Sequence, residues 1–220
     1  MEFNLVQTLA IYALPVIFAI TLHEAAHGYV ARLFGDNTAY VLGRVSLNPV
    51  RHIDPVGTIL VPLLILVASK LLGSGGILFG WAKPVPVDFS ALRHPKRDML
   101  WVAAAGPFAN LFMAVLWALT FKFALLAPHN AFTQPLSLMA GVGIEINLVL
   151  MVLNLLPILP LDGGRIAVSL LPRRLAYSFS RLEPYGFPIL LLLLFTNTLG
   201  IILNPAIHLS MQLIESIFQI

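Results

Sequence analysis

Cysteine is absent from the 220-residue chain, so it can form no disulfide and offer no thiolate to a metal, and any metal site must use His, Asp or Glu. Charge is almost as scarce. Asp, Glu, Lys and Arg make up 10% of the residues and apolar types 59%, against roughly 25% charged in an average soluble domain, which excludes water as the main solvent. No polar stretch is long enough for a separate soluble domain and no internal repeat is visible, so one membrane domain over 1–220 is expected. No basic run is interleaved with aromatics, and at a net charge of +3 nucleic acid is not an expected partner. A cleavable leader is not expected either, because residues 1–4 carry Glu2 and no basic group, and the apolar run that follows holds His23, Glu24 and His27.

What the chain has is apolar length. A helix needs about 20 residues to cross the hydrocarbon core, and residues 5–30, 99–125, 136–157 and 186–204 are predicted to do so. Two further apolar segments, 56–72 and 205–220, can be spanning, re-entrant or interfacial. The expected fold is therefore an all-α polytopic membrane protein, a helical bundle of about four to six membrane segments lying in a lipid bilayer. Two connections interrupt it. Residues 35–55 are rich in Gly, Asn and Pro, and alternation around 40–47 suits short membrane-associated β strands. Residues 73–98 include Gly80-Trp81-Ala82-Lys83-Pro84-Val85-Pro86-Val87, where proline at alternate positions forbids a helix and favours an extended edge.

The basic residues set the orientation. Arg32, Arg44 and Arg51 lie in the first connection, Lys70, Lys83, Arg93, Lys96 and Arg97 in or beside the second, and Arg165, Arg173, Arg174 and Arg181 in the fourth. If 56–72 is re-entrant, these all share one face, which the positive-inside rule makes cytoplasmic; a full crossing would move three of them outside. Lys122 is the exception and is expected to snorkel to the opposite side.

His23-Glu24-Ala25-Ala26-His27 lies on the first apolar helix. Spacing of i and i+4 puts both imidazoles on one helical face, able to share a zinc ion, with Glu24 beside them as a candidate general base. A carboxylate inside a membrane helix costs about 2.5–3.5 kcal/mol on insertion scales, which argues for a functional partner; the plainer alternative is a helix exit where these side chains meet headgroups. A catalytic zinc usually takes three protein ligands. His94, His129 and His208 stand without companions, whereas Asp162 follows the 136–157 span in Asn154-Leu155-Leu156-Pro157-Ile158-Leu159-Pro160-Leu161-Asp162-Gly163-Gly164. Asp-Gly-Gly alone reads as a turn, but beside His-Glu-x-x-His the aspartate is the preferred third ligand. Both motifs sit at the C-terminal ends of their helices, which must then face the same side. An odd number of complete spans must separate them, so either 56–72 or 99–125 does not cross, and the longer 99–125 is the more credible span.

These residues resemble the site-2 protease family of intramembrane zinc metalloproteases in its compact prokaryotic form. His23 to His27 fit the zinc helix, and Asn154-x-x-Pro157-x-x-x-Leu161-Asp162-Gly163 fits the second signature; segments 48–55, 80–87 and 105–110 also look like those of short members. The resemblance implies one zinc ion held by His23, His27 and Asp162, water activated by Glu24, and transmembrane protein substrates. It implies that Asn154 holds substrate backbone or steadies the oxyanion, and that Gly80, Trp81, Lys83, Pro84 and Val85 belong to a strand that pairs with unwound substrate. Read bottom-up, Asn154 could equally make an interhelical hydrogen bond and 80–87 an interfacial loop. His52 and Asp54 are expected to bond locally within their loop. No segment is large enough for the PDZ or CBS domains of other members. A polytopic metal-binding protein or transporter without proteolytic activity is the rival reading; prenyl-protein proteases share His-Glu-x-x-His but lack Leu-Asp-Gly.

Overall fold

Apolar runs with few charges satisfy their backbone groups internally when they coil, the one open-ended solution available inside a bilayer. The computed structural model describes residues 5–61, 64, 82–128, 130 and 132–220. Its α-helices are α1 (Leu5–Leu33), α2 (Thr38–Val41), α3 (Pro95–Leu126), α4 (Thr133–Asn154), α5 (Asp162–Leu170), α6 (Arg173–Ser180), α7 (Glu183–Phe195) and α8 (Thr198–Phe218). Four of them contain stretches long and apolar enough to cross a membrane: Ala10–Leu33, Pro95–Leu126, Thr133–Asn154 and Thr198–Phe218. The protein is an all-α, multi-pass membrane protein.

Helix α3 is the hub, packing on α1, α4 and α5. Lipid supplies no hydrophobic drive between helices, so close approach depends on small residues. Ala103, Gly106, Ala114 and Ala118 provide them along the buried face of α3. Ala114 and Ala118 meet Ile144 and Leu148 of α4 and Ile214 of α8 in one buried cluster. On α4, Gly143 lies under Trp117, where a Cβ would run into the indole. Pro95 opens α3 at a position that needs no N–H, and Asp98 in its first turn accepts from the His94 amide at 2.7 Å.

The chain leaves α1 and rejoins α3 at one end of the bundle. Arg93 N–H donates to Phe34 O at 3.0 Å, and Lys83 N–H to His52 O at 2.9 Å. Residues Pro55–Leu60 form a wide π-helical turn capped by Asp54, whose Oδ1 accepts from Val56 at 3.0 Å and Gly57 at 2.6 Å. Residues 62–63 and 65–81 lie outside the described residues, and with them most of the expected re-entrant segment.

Two expectations change. No strand forms among the described residues: Tyr40 and Val41 belong to α2, Gly43 turns the chain at φ 63°, and 82–88 run without regular structure. The prolines that favour an extended path at 84 and 86 also remove the donors a ladder needs. The expected span 186–204 is broken at Asn197, whose left-handed φ of 58° separates α7 from α8. The ambiguous tail 205–220 consequently becomes part of a full-length helix, Thr198–Phe218. Lys122, near the far end of α3, donates from Nζ to Phe218 O at 2.7 Å and places a cation at the C-terminus of α8.

Candidate metal centre

Helix α1 presents His23 and His27 one turn apart, both buried. Asp162 reaches them from the start of α5, delivered by a loop that folds tightly onto itself. Gly163 and Gly164 press on the backbone of Leu155–Leu156 and Ile158–Leu159, leaving no room for a Cβ at either position. Gly186 of α7 meets Leu159 O in the same way. Three backbone contacts thus hold the turn that carries the aspartate.

His23 Nε2 and His27 Nε2 stand 3.1 Å apart, and they lie 3.2 and 3.3 Å from Asp162 Oδ2 and Oδ1. The protons lie elsewhere. His27 Nδ1 is 2.7 Å from Val102 O, which can only accept, so Nδ1 carries the hydrogen. His23 Nδ1 is 2.6 Å from Asn110 Oδ1. That amide is oriented by its other end, since Asn110 Nδ2 donates to Asn147 Oδ1 at 3.0 Å and to Ala19 O at 3.3 Å, while Asn147 Nδ2 donates to Gly143 O at 2.8 Å. As neutral rings with the hydrogen on Nδ1, both histidines turn bare Nε2 lone pairs toward a carboxylate, and Asp162 Oδ2 is buried without a hydrogen-bond partner. Three acceptors converging without a proton need a cation. Their spacing matches the edge of about 3.3 Å of a tetrahedron with metal–nitrogen bonds of about 2.0–2.1 Å, so the residues present fit a zinc ion.

Gly106 of α3 closes the cluster from the third side. A Cβ there would lie 2.5 Å from His23 Cε1, His23 Nε2 and His27 Nε2, so only glycine leaves the ligand face open. Gly106 and Asn110 lie in the segment 105–110 that resembles family members, but their roles were not readable from spacing. Asn147, an amide within an apolar span, carried the signal of a buried polar partner and was missed. Replacing Asn110 by Leu is expected to lower zinc affinity about 10–100-fold, because the ring of His23 loses the acceptor that fixes its tautomer; competition against a zinc chelator measures it, and unchanged affinity would deny Asn110 that role.

Glu24 lies between the histidines on the helix, half-buried, with Oε2 accepting from Val85 N–H at 2.8 Å. The described part of 80–87 is thus a strap on the carboxylate. It is tied down by Lys83 N–H to His52 O, by Arg44 Nη2 to Lys83 O at 2.8 Å and Pro84 O at 3.3 Å, and by Asp88 N–H to Asp36 Oδ2 at 2.7 Å. From Lys83 to Pro86 no unused N–H remains for a partner strand. Gly80 and Trp81 lie outside the described residues. Asn154 is not joined to the cluster by any hydrogen bond; its Nδ2 donates to Leu150 O at 3.0 Å within α4. His52 bonds locally, Nε2 to Ser46 O at 2.8 Å, and Asp54 caps its own turn.

The cluster sits at the end of the bundle where the basic connections gather, with Lys96 Nζ donating to Leu171 O. The sequence profile of Peptidase family M50 matches residues 126–196. The chain is similar to "Putative zinc metalloprotease YwhC" of Bacillus subtilis (strain 168), 37% identical over 94% of this chain and 91% of that protein. It is also similar to "Putative zinc metalloprotease Rip2" of Mycolicibacterium smegmatis, 32% identical over 84% of this chain and 66% of that protein. The Rip2 protein of Mycobacterium tuberculosis is 32% identical over 67% of this chain and 52% of its own length. No solved structure matches the chain.

Proposed function

Since the chain belongs to peptidase family M50, the site-2 protease type of zinc metalloprotease, we propose that it hydrolyses peptide bonds in or near transmembrane segments of membrane proteins, with His23, His27 and Asp162 as zinc ligands and Glu24 as general base. The convergence of three proton-free acceptors beside Glu24 carries this reading. When bound, zinc supplies Lewis acidity to polarise the scissile carbonyl and acidify a water. The protein's own groups do the rest. Asn110 and Val102 hold the imidazole tautomers that leave Nε2 free. Val85 N–H holds Glu24 Oε2, so that Oε1 is the atom to accept the proton of the attacking water and pass it to the leaving amine.

A substrate helix hides its peptide groups in its own hydrogen bonds, so it must unwind near the cut, and helix-breaking residues there favour cleavage. In this reading Asn154, at the end of α4, holds the unwound segment or steadies the oxyanion. The strap Lys83–Pro84–Val85 contributes by fixing Glu24, and can offer a substrate carbonyl acceptors only. The positive-inside rule puts the metal end of the bundle toward the cytoplasm, the short route for water.

The test is reconstitution of the purified protein in vesicles with a single-span membrane protein carrying a helix breaker, with products mapped by mass spectrometry. Cleavage within or beside the span, stopped by chelation and restored by zinc, is expected, with about one zinc per chain. His23→Ala and Asp162→Ala are expected to lose both zinc and cleavage. Full zinc retention in Asp162→Ala would remove the third ligand, and cleavage that survives chelation would remove the mechanism.

A further inference from the structure

Glu145 lies in the middle of α4, twelve residues from Thr133 and nine from Asn154. It is exposed, and it makes no hydrogen bond or ion pair among the described residues. The other acids of the long helices are accounted for. Glu24 is held by Val85, Asp98 caps α3, and Glu215 is within one turn of the end of α8, in reach of headgroups. At about 100° per residue Glu145 points about 200° away from Asn147, and the buried side of α4 is formed by Ala140, Gly143, Ile144, Asn147 and Leu148. A carboxylate thus faces the hydrocarbon at mid-depth, where an ionisable group is costly unless another polar group meets it.

Gly141 lies one turn from Glu145 on the same face. A Cβ at Gly141 would find only the Phe121 ring, at 3.7 and 4.0 Å, which is ordinary contact. The chain's own packing therefore does not call for glycine there, in contrast to Gly143 under Trp117. A glycine inside a helix lowers its propensity, and on an outward membrane face it opens a notch in which a second backbone can come close.

We propose that Gly141 and Glu145 form a docking notch for the transmembrane helix of a substrate that carries a lysine or arginine within the membrane, its basic side chain pairing with Glu145. This rests on the reading that substrates are membrane proteins. Among the described membrane helices, charge complementarity selects the occupant over a second copy of this chain. Arg32, Lys96 and Arg97 lie at the ends of their helices, and Lys122 is already bonded to Phe218 O. A two-fold pairing through α4 would set carboxylate against carboxylate.

The notch also has a register with the metal centre. Asn147 is two residues beyond Glu145 and shares a level with Asn110, and Gly106, at the histidine rings, is one further turn along α3. At 1.5 Å per residue the metal cluster lies about 9 Å from Glu145 toward the basic end of the bundle. A docked helix would be cut about six residues from its basic side chain, fewer where it has unwound.

The experiment uses vesicles holding the zinc-loaded Glu24→Gln protein and a labelled single-span, leucine-rich helix with either Lys or Leu at mid-span, with association read by fluorescence energy transfer. The Lys helix is expected to bind roughly tenfold more tightly than the Leu helix. Adding Glu145→Leu should erase that preference, and Glu145→Lys should transfer it to a helix bearing Glu. Gly141→Leu should weaken both helices. Zinc content, expected to match that of the parent in every variant, reports that the fold is kept. Equal binding of the Lys helix with and without Glu145 would overturn the inference. So would self-association lost in Glu145→Leu with the Lys helix unaffected, which would make a second copy the occupant. Binding is read without cleavage in Glu24→Gln, so a Lys helix that docks there yet is left uncut by the zinc-loaded parent with Glu24 intact overturns the protease reading alone.

Discussion

Gly106→Ala is expected to abolish zinc binding while the helical bundle stays folded. The added Cβ would sit 2.5 Å from both Nε2 atoms and from His23 Cε1, far inside van der Waals contact and in the space that ligand atoms and metal share. The rings cannot swing away cheaply, because Asn110 Oδ1 holds one at 2.6 Å and Val102 O the other at 2.7 Å. Either the rings break those bonds or α3 backs away from α1; both spread the ligand atoms beyond the reach of a single metal. A displacement of about 1 Å is enough to cost on the order of 100-fold in activity. Elemental analysis of the purified variant, with circular dichroism to report helicity, makes the measurement. Gly141→Ala is the control, since a Cβ there meets Phe121 at 3.7 Å in ordinary contact and zinc should stay at the parent level. A Gly106→Ala protein with a full complement of zinc would show that the ligand face is not closed as described.

Glu24→Gln should do the reverse, keeping the metal and losing the reaction. Glutamine has the same shape, and its carbonyl oxygen can still accept from Val85 N–H, so the strap and the ligand histidines are left in place. What disappears is an atom able to take a proton, which in general acid–base catalysis is worth about 10²–10⁴ in rate. Cleavage of a single-span substrate should fall by at least that factor with zinc unchanged. A variant that keeps more than about a tenth of the parent rate would move the general base elsewhere. The two substitutions separate the halves of the site: one removes the metal and leaves the base, the other removes the base and leaves the metal.

Much of the architecture could be read from the chain because membrane helices are local objects. Apolar length and few charges placed α1, α3 and α4 close to their observed limits. The C-terminal region was harder for a definite reason. Hydropathy runs smoothly through 186–204, and only the left-handed backbone at Asn197 divides it. The β strands expected at 40–47 and 80–87 rest on alternation and proline content, which report an extended preference but not whether a ladder partner exists. The N–H groups of Lys83, Val85 and Asp88 go to His52, Glu24 and Asp36 instead.

The sequence by itself determined that His23, Glu24 and His27 share one turn of a membrane helix, since i to i+4 spacing is a property of the helix alone. It also limited the third ligand to an oxygen or nitrogen donor, through the absence of cysteine, and pointed to Asp162 by its place after the 136–157 span in Leu161-Asp162-Gly163-Gly164. Tertiary structure decided the remainder. Gly106 faces the two rings, Asn147 reaches His23 through Asn110, and Val85 binds Glu24 only because helices of small residues pack closely enough to bring those positions together. These contacts join residues from 37 to 87 positions apart, and no local periodicity records which faces meet across such separations. Closure of the site is a property of packing, whereas its chemistry is a property of the motif.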